Sequence, residues 1–242
     1  MSVDIALIDS GVNSGHFHVG WVAGGTAFSL GPNGDVRESM DYTDAIGHGT
    51  AVAAVIRERC PGARIHAVKI FTDSLRAPVS LLIHGLEWVI DRNMKIIHLS
   101  LGTEAFEGRD RVVELCRTAC VRRLVVLAAA RSPDDEVYPS CLDTVIGVYW
   151  HPECGADDLI YDPSHPIPFG ASGDPRPLPG VPPESNFRGP SFAVARVTAR
   201  VACLLEQNPD ADPNWVREKL REMGARAGVS PNRRVPGTQE SL

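Results

Sequence analysis

Three short segments of this 242-residue chain each set one polar side chain beside glycine: Asp9 in IALIDSG, His48 in GHGTAVAAV and Ser191 in GPSFAVA. A carboxylate, an imidazole and a hydroxyl are the groups that nucleophilic acyl transfer needs. The carboxylate orients the imidazole, the imidazole takes the hydroxyl proton, and the freed oxygen attacks a carbonyl carbon. Each segment alone has an ordinary structural explanation, since Asp often ends a strand and Ser often caps a helix. Their joint occurrence in the order Asp, His, Ser, spread over most of the chain, is what points to chemistry.

Such residues act only if the fold brings them together, and hydrophobic periodicity shows the elements that do so. The apolar run at 5–8 reads as a strand ending in Asp9-Ser10-Gly11. Residues 13–46, rich in Gly, Asn and Asp, predict a long irregular connection with room for one extra strand. From His48, the residues Val52, Val55 and Ile56 recur at helical spacing until Pro61-Gly62 stops the run. A strand is expected at 65–71, then an amphipathic helix through Leu81, Leu82, Leu86, Val89 and Ile90. Another strand at 96–101 precedes a helix carrying Val112, Val113 and Cys116. Strands at 124–130 and 145–148 follow, and the Pro- and Gly-dense stretch 151–183 predicts loop with a short strand near 167–170. Helices close the chain at about 190–207 and 213–223, with Pro213 in a first turn.

Alternating apolar strands and helices predict an α/β fold with a mostly parallel sheet between helices. Sites in such sheets gather beyond the carboxyl ends of strands and at helix N-termini. Asp9 lies at the first kind of position, His48 and Ser191 at the second. One catalytic domain is expected over residues 1–224, with a flexible tail over 225–242.

Composition narrows the function classes. A hydrophobic content of 43% allows one sizeable core. The net charge of −6 argues against a nucleic-acid partner. No apolar run reaches the roughly 18 residues of a bilayer span, so no membrane partner is expected. The opening MSVDIALIDS has no basic n-region and reads as a strand rather than an export signal. The six cysteines form neither a CxxC pair nor a regular framework, so free buried thiols and a cytoplasmic location are expected. His16-Phe17-His18 and the segment from His151 to Cys154 lack a metal-ligand spacing, and IALIDSG lacks the GxGxxG of a dinucleotide site. No metal or cofactor is therefore expected. Arg196, Arg200, Arg217 and Arg221 read as a solvated helix face.

The three segments resemble those of the subtilisin-like serine protease family (the S8-like peptidases), and the likeness covers most of the chain. GHGT matches the histidine motif, and Gly189, Ser191 and Ala193 match the nucleophile motif with its apolar helix. The segment IIHLSLG, with Ser100, Leu101 and Gly102, is similar to the family's strand that binds substrate backbone. LVVLAAA, then VYPS and TVIGV, is similar to the segment that supplies the oxyanion site and primary specificity pocket, which marks Ala129 and Val137. The resemblance implies a three-layer subtilisin-like fold and a serine endopeptidase. In it Ser191 attacks, His48 moves the proton, Asp9 holds the imidazole, and the Ser191 N–H is one oxyanion donor.

Several positions depart from the family pattern, among them Phe192 in place of methionine and Ala195-Arg196 in place of a Pro-His pair. Ser132 falls where the family's oxyanion asparagine is expected, and Arg131 where glycine is expected. A serine hydroxyl can donate, so Ser132 is the oxyanion candidate, and loss of such a donor costs about 10²–10³ in kcat. Pro190 replaces threonine but leaves the Ser191 N–H in place. Val137 stands where the pocket floor often has glycine, which suggests a shallow pocket for a small residue. His98, inside the substrate-binding strand, is open between core packing and substrate contact.

Within the family, the resemblance is to compact peptidases that remove leader sequences from modified peptides or subunit precursors. It implies a peptide or protein precursor as substrate, with other maturation proteins as partners. The chain begins at its first strand, so no pro-region is expected, and restraint would come from selectivity or slow chemistry. A rival reading is a catalytically inactive subtilisin fold that binds a peptide without cutting it. Arg131 and Ser132 motivate that rival, and the intact Asp9, His48 and Ser191 oppose it.

Overall fold

The computed structural model describes residues 2–103 and 107–226, so the expected tail lies outside the described residues apart from its first two. The strand β1 (Asp4–Asp9) sends Ile5 and Leu7 into one hydrophobic cluster and Ala6 and Ile8 into another, all fully buried. A strand covered on both faces needs this continuous apolar run. The remaining strands in chain order are β2 (Gly24–Leu30), β3 (Val36–Ser39), β4 (Arg64–Lys69), β5 (Ile96–Leu99), β6 (Val125–Ala130), β7 (Val145–Trp150), β8 (Leu159–Tyr161) and β9 (Phe169–Ala171). They form one sheet in the order β3-β2-β4-β1-β5-β6-β7-β9-β8. The inner strands are parallel, while β3 and β8 close the two edges as antiparallel partners of β2 and β9.

Two helical layers cover the sheet. The helices α1 (His48–Arg59) and α4 (Pro190–Gln207) join Ile5, Leu7, Val125 and Leu127 in the first cluster. The helices α2 (Val79–Asp91) and α3 (Arg109–Val121) join Ile8, Ile97, Leu99 and Val126 in the second. A fifth helix, α5 (Pro213–Arg226), adds Val216 and Leu220 to the first. Burying each large apolar side chain contributes about 1.5–3 kcal/mol, so these two cores fix the sheet whose edge carries the polar residues. Parallel pairing aligns the carboxyl ends of β1, β5 and β6, and α1 and α4 begin at that same edge.

The expected three-layer α/β architecture is the observed one. Two short strands exceed the sequence reading. The 13–46 region holds both β2 and β3, because β2 opens on Gly24-Gly25 and β3 is a mostly exposed edge, so neither shows an apolar run. Strand β8 has only three residues and depends on β9 for its pairing. The arginine reading is corrected. Arg221 is exposed and donates to Glu218, but Arg196 is buried and donates to the carbonyl oxygens of Asp174 and Ala156. Arg217 likewise donates to the carbonyl oxygens of Asp143 and Val145. Those guanidinium groups tie helices to loops, a use that charge patterning does not reveal. All six cysteines are free thiols, and no helix among the described residues is long and apolar enough to cross a membrane.

Candidate active site

Asp9 ends β1 with 0% of its surface exposed. One carboxylate oxygen accepts the Ser10 N–H at 2.6 Å, and the two oxygens lie 2.8 and 3.1 Å from Nδ1 of His48. An ionised carboxylate only accepts, so Nδ1 carries the hydrogen and Nε2 is left as the basic nitrogen. Burial pushes the Asp9 carboxyl up, yet His48, the Ser100 hydroxyl and the Ser10 N–H together hold it below the usual carboxylate range. On His48, burial pushes the imidazole down, but the negative charge of Asp9 and, less, of Asp44 lifts it above its ordinary value.

His48 is 5% exposed and opens α1. The next residue, Gly49, explains the HGT pattern. A Cβ there would come within 2.2 Å of the Gly11 carbonyl oxygen and 3.1 Å of an Asp9 carboxylate oxygen. Only glycine lets the helix start approach the acid so closely.

Sequence reading missed Asp44. It is 5% exposed, and one of its oxygens accepts the Ser10 hydroxyl (2.8 Å) and the N–H groups of Ile46 (3.1 Å) and Gly47 (2.8 Å). The other accepts both the N–H (2.8 Å) and the hydroxyl (2.6 Å) of Thr50. Five donors on one carboxylate clasp the first turn of α1 to the residue that follows Asp9, and a negative charge suits a helix N-terminus. The available signal was an acidic residue just ahead of the predicted helix start in DAIGHGT.

Ser191 is the second residue of α4, behind Pro190, where a backbone N–H has no intrahelical acceptor. Its hydroxyl donates to the carbonyl oxygen of Ser100 at 3.3 Å. The adjacent Phe192 ring lies 5.7 Å from the His48 ring, and Phe187 meets it edge-on at 5.5 Å. The structure thus gathers Asp9, His48 and Ser191 at one sheet edge, with the serine turned toward Ser100. Hydrogen bonds of unliganded sites often tighten only when substrate binds.

A cavity of about 400 Å³ opens beside Ser191. Ser100, Leu101, Gly102, Ala129 and Val137 line it, so all five residues expected to bind substrate meet there. The two lining segments meet beside it. Thr103 and Tyr138 exchange backbone hydrogen bonds (2.7 and 3.1 Å), and a Cβ on Gly102 would lie 2.0 Å from Val137 Cγ1. Ser132 is exposed, its carbonyl oxygen accepts the Asp135 N–H at 3.3 Å, and it is not among the cavity's lining residues. Arg131 does line the cavity, gripping Asp135 through its N–H (2.8 Å) and guanidinium (3.0 and 3.3 Å).

His98 is fully buried, with Nδ1 2.9 Å from the Thr198 hydroxyl and Nε2 2.8 Å from the Ser100 hydroxyl. The alternative of substrate contact is therefore removed. Among the described residues, no three His, Cys, Asp or Glu side chains gather as a metal ion would require.

Comparison with known proteins places this geometry in a lineage. A sequence model of the Subtilase family matches residues 2–148, more than half of the chain. The chain belongs to that family. Subtilisin E of Bacillus subtilis (strain 168) is 28% identical over a 248-residue alignment that covers 95% of this chain. The chain spans 62% of that relative's length. Among solved structures, a lanthipeptide protease superposes with a TM-score of 0.67 at 18% identity, covering 91% of this chain and 79% of its own. The prenylagaramide maturation protease PagA superposes with a TM-score of 0.58 at 21% identity, covering 87% of this chain and 79% of its own. These likenesses establish the subtilase fold.

Proposed function

We propose that this subtilase is a serine endopeptidase with Asp9, His48 and Ser191 as its triad, residues 1–224 forming the catalytic domain. One observation carries the reading: a fully buried carboxylate paired at 2.8 Å with the imidazole that opens α1, on the sheet edge where α4 presents Ser191. In this reading the basic Nε2 of His48 takes the Ser191 proton as the oxygen attacks a peptide carbonyl. The carbonyl π electrons move onto oxygen, facing the Ser191 N–H, with Ser132 as the candidate second donor. Collapse of the adduct expels the amine, which receives the proton from His48, and water then hydrolyses the acyl-enzyme by the same steps.

Val137, a branched side chain lining the cavity, supports a small residue on the acyl side of the cut bond, with Ser100, Leu101, Gly102 and Ala129 lining it as well. Such selectivity suits a dedicated maturation protease acting on the leader of a peptide or subunit precursor, alongside other maturation proteins. Two structural neighbours are a lanthipeptide protease and a maturation protease by name. At its finest, the chain looks like the maturation protease for the gamma subunit of quinohemoprotein amine dehydrogenase. Six free thiols support a reducing compartment, the cytoplasm.

The second reading, a peptide-binding module without catalysis, is favoured by the Ser191 hydroxyl resting on the Ser100 carbonyl. Labelling with a fluorophosphonate decides between them. Rapid labelling lost in Ser191→Ala, together with Ser191-dependent cleavage of the precursor, supports the endopeptidase. Labelling of the parent no faster than of Ser191→Ala would overturn it.

A further inference from the structure

We infer that a second cavity, next to the start of α1, is the subsite for the leaving segment of the substrate and takes an apolar side chain from the first three residues after the cut bond. The inference rests on the proposed endopeptidase reading. The cavity measures about 210 Å³ and shares no lining residue with the one beside Ser191. A cavity of about 150 Å³ holds a benzene-sized molecule, so this one has room for a Leu or Phe side chain. Ala51 and Ala54 of α1 line it together with Leu178 and Phe187 from the segment that precedes α4.

The link to the triad follows from proton transfer. In the proposed mechanism His48 hands its proton to the leaving nitrogen, so the chain bearing that nitrogen must pass over the imidazole. The Phe187 ring meets that imidazole edge-on, with centroids 5.5 Å apart. The same ring lines the cavity and would lie 3.8 Å from a Cβ on Gly47, the residue before His48. Phe187 therefore joins the imidazole to the cavity. An extended segment advances about 3.3 Å per residue, so three residues span about 10 Å, enough to pass one ring.

Polar contacts among three segments hold the cavity in shape. Arg176 pairs with Glu58 on α1 at 3.2 Å and donates to the His18 carbonyl oxygen at 3.4 Å. The Asn186 amide donates to the Arg176 carbonyl oxygen at 3.1 Å. His16, His18 and Arg176 line the cavity, and no carboxylate among the described residues does. Burial, then the charges of Arg176 and His16, push the His18 imidazole down against the opposing pull of Glu58. These polar walls disfavour a second cation. Phe17, whose ring lies 4.5 and 4.1 Å from those of His16 and His18, is 66% exposed, and Phe187 is 37% exposed. Aromatic surface thus extends beyond the cavity, as at a surface that receives a partner. A leaving segment with an apolar side chain and no positive charge matches both features.

Acyl transfer on the full chain tests this without knowledge of the natural cut site. N-acetyl-alanine thiobenzyl ester forms the acyl-enzyme and releases its thiol, and tripeptide amides then compete with water. The amine nitrogen attacks the acyl carbonyl, and His48 takes its proton and returns it to the Ser191 oxygen as that bond breaks, so the amide occupies the leaving side. Triglycine amide is compared with amides carrying one Leu at the first, second or third position. One Leu position should raise transfer relative to hydrolysis about tenfold over triglycine, and Lys at that position should do no better than Gly. The preference should vanish in Ala51→Phe, which fills the cavity, and in Leu178→Asn, which makes its wall polar. The ratio is internal to each variant, so an altered rate of ester turnover does not enter it.

A parent that transfers Leu no better than Gly at every position overturns the proposal, as does a preference for Lys or one that survives in both variants. No preference combined with a concentration-dependent dimer would assign the exposed Phe17 and Phe187 to a second copy instead. A parent that turns over no ester sinks the endopeptidase reading, and NMR of Ser191→Ala then decides the cavity by binding alone. The His16 and His18 ring signals should move on titration with the Leu-bearing amides and stay in place with triglycine amide, and signals unmoved by any of them overturn the subsite.

Discussion

Val137→Gly is the substitution that most directly tests how the cavity beside Ser191 selects a substrate. Val137 is 6% exposed, and its Cγ1 would lie only 2.0 Å from a Cβ on Gly102. The branched side chain lines the cavity and packs against Gly102, so in the proposed reading it limits the length of a substrate side chain there. Removing it opens that space. Full burial of a Leu or Phe side chain contributes about 1.5–3 kcal/mol, and about 1.36 kcal/mol is tenfold in rate. If the parent denies that burial and the variant permits it, kcat/KM for Leu or Phe should rise about 10- to 150-fold relative to Ala.

The assay uses peptides that differ only in the residue on the acyl side of the cut bond, Ala, Leu or Phe. Loss of a buried side chain costs stability too, about 2–3 kcal/mol, or a drop of roughly 4–12 °C in Tm for a chain of this size. Measurements therefore belong below 25 °C with folding checked. An unchanged ranking of the three peptides in a folded variant would refute the reasoning, as would a parent that already prefers Phe. A second variant supplies an internal control. Gly102→Ala should disrupt the parent, where its new Cβ meets Val137, and be tolerated in the Val137→Gly background, where that neighbour is gone.

Asp9→Asn removes the charge that lifts the His48 imidazole. In the parent, kcat/KM should rise with pH through a midpoint above about 6.5. In the variant that midpoint should move to lower pH while kcat falls by about 10⁴, and a midpoint that stays or rises contradicts the assignment. Asp44→Asn leaves too few acceptors for five donors, so a loss of about 2–4 kcal/mol is expected in urea unfolding, with the same downward drift of the His48 midpoint. Ser132→Ala tests the candidate oxyanion donor: a drop in kcat at constant KM supports it. An unchanged kcat removes Ser132 and directs attention to Arg131, which lines the cavity where Ser132 does not.

What sequence showed and what it hid divide along physical lines. Residues acting through local geometry were legible. Asp9 stands at the end of an apolar run, His48 and Ser191 at the starts of periodic ones, and parallel pairing aligns such ends without further information. Gly49 and Gly102 sit in short motifs because a side chain at either would collide with a neighbour. Asp44 was only partly visible: four of its five donors lie at Ile46, Gly47 and Thr50, but the fifth, the Ser10 hydroxyl that ties it to the Asp9 segment, is 34 residues away. His98 was half visible. Its place in an apolar strand showed that it is unusual, but its partner Thr198 lies 100 residues away. Arg196 misled for the same reason, since a helix face reads as solvated until the loop that covers it is known.

Several of these contacts converge at the end of β5. The register sets Ile8 beside Leu99, so one step on, Asp9 and the residue after β5 lie side by side at the carboxyl edge. That residue is Ser100. Its hydroxyl lies 2.8 Å from Nε2 of His98, its carbonyl accepts the Ser191 hydroxyl, and its successors Leu101 and Gly102 line the cavity. A displacement of this short segment would move the resting serine's acceptor and the cavity lining together. Two packed groups oppose such displacement: His98, bonded to α4 through Thr198, and Val137, seated against Gly102. Selectivity and positioning are thus built on the same few residues, so variants at His98 and Val137 should show coupled effects on labelling rate although their side chains face different parts of the fold.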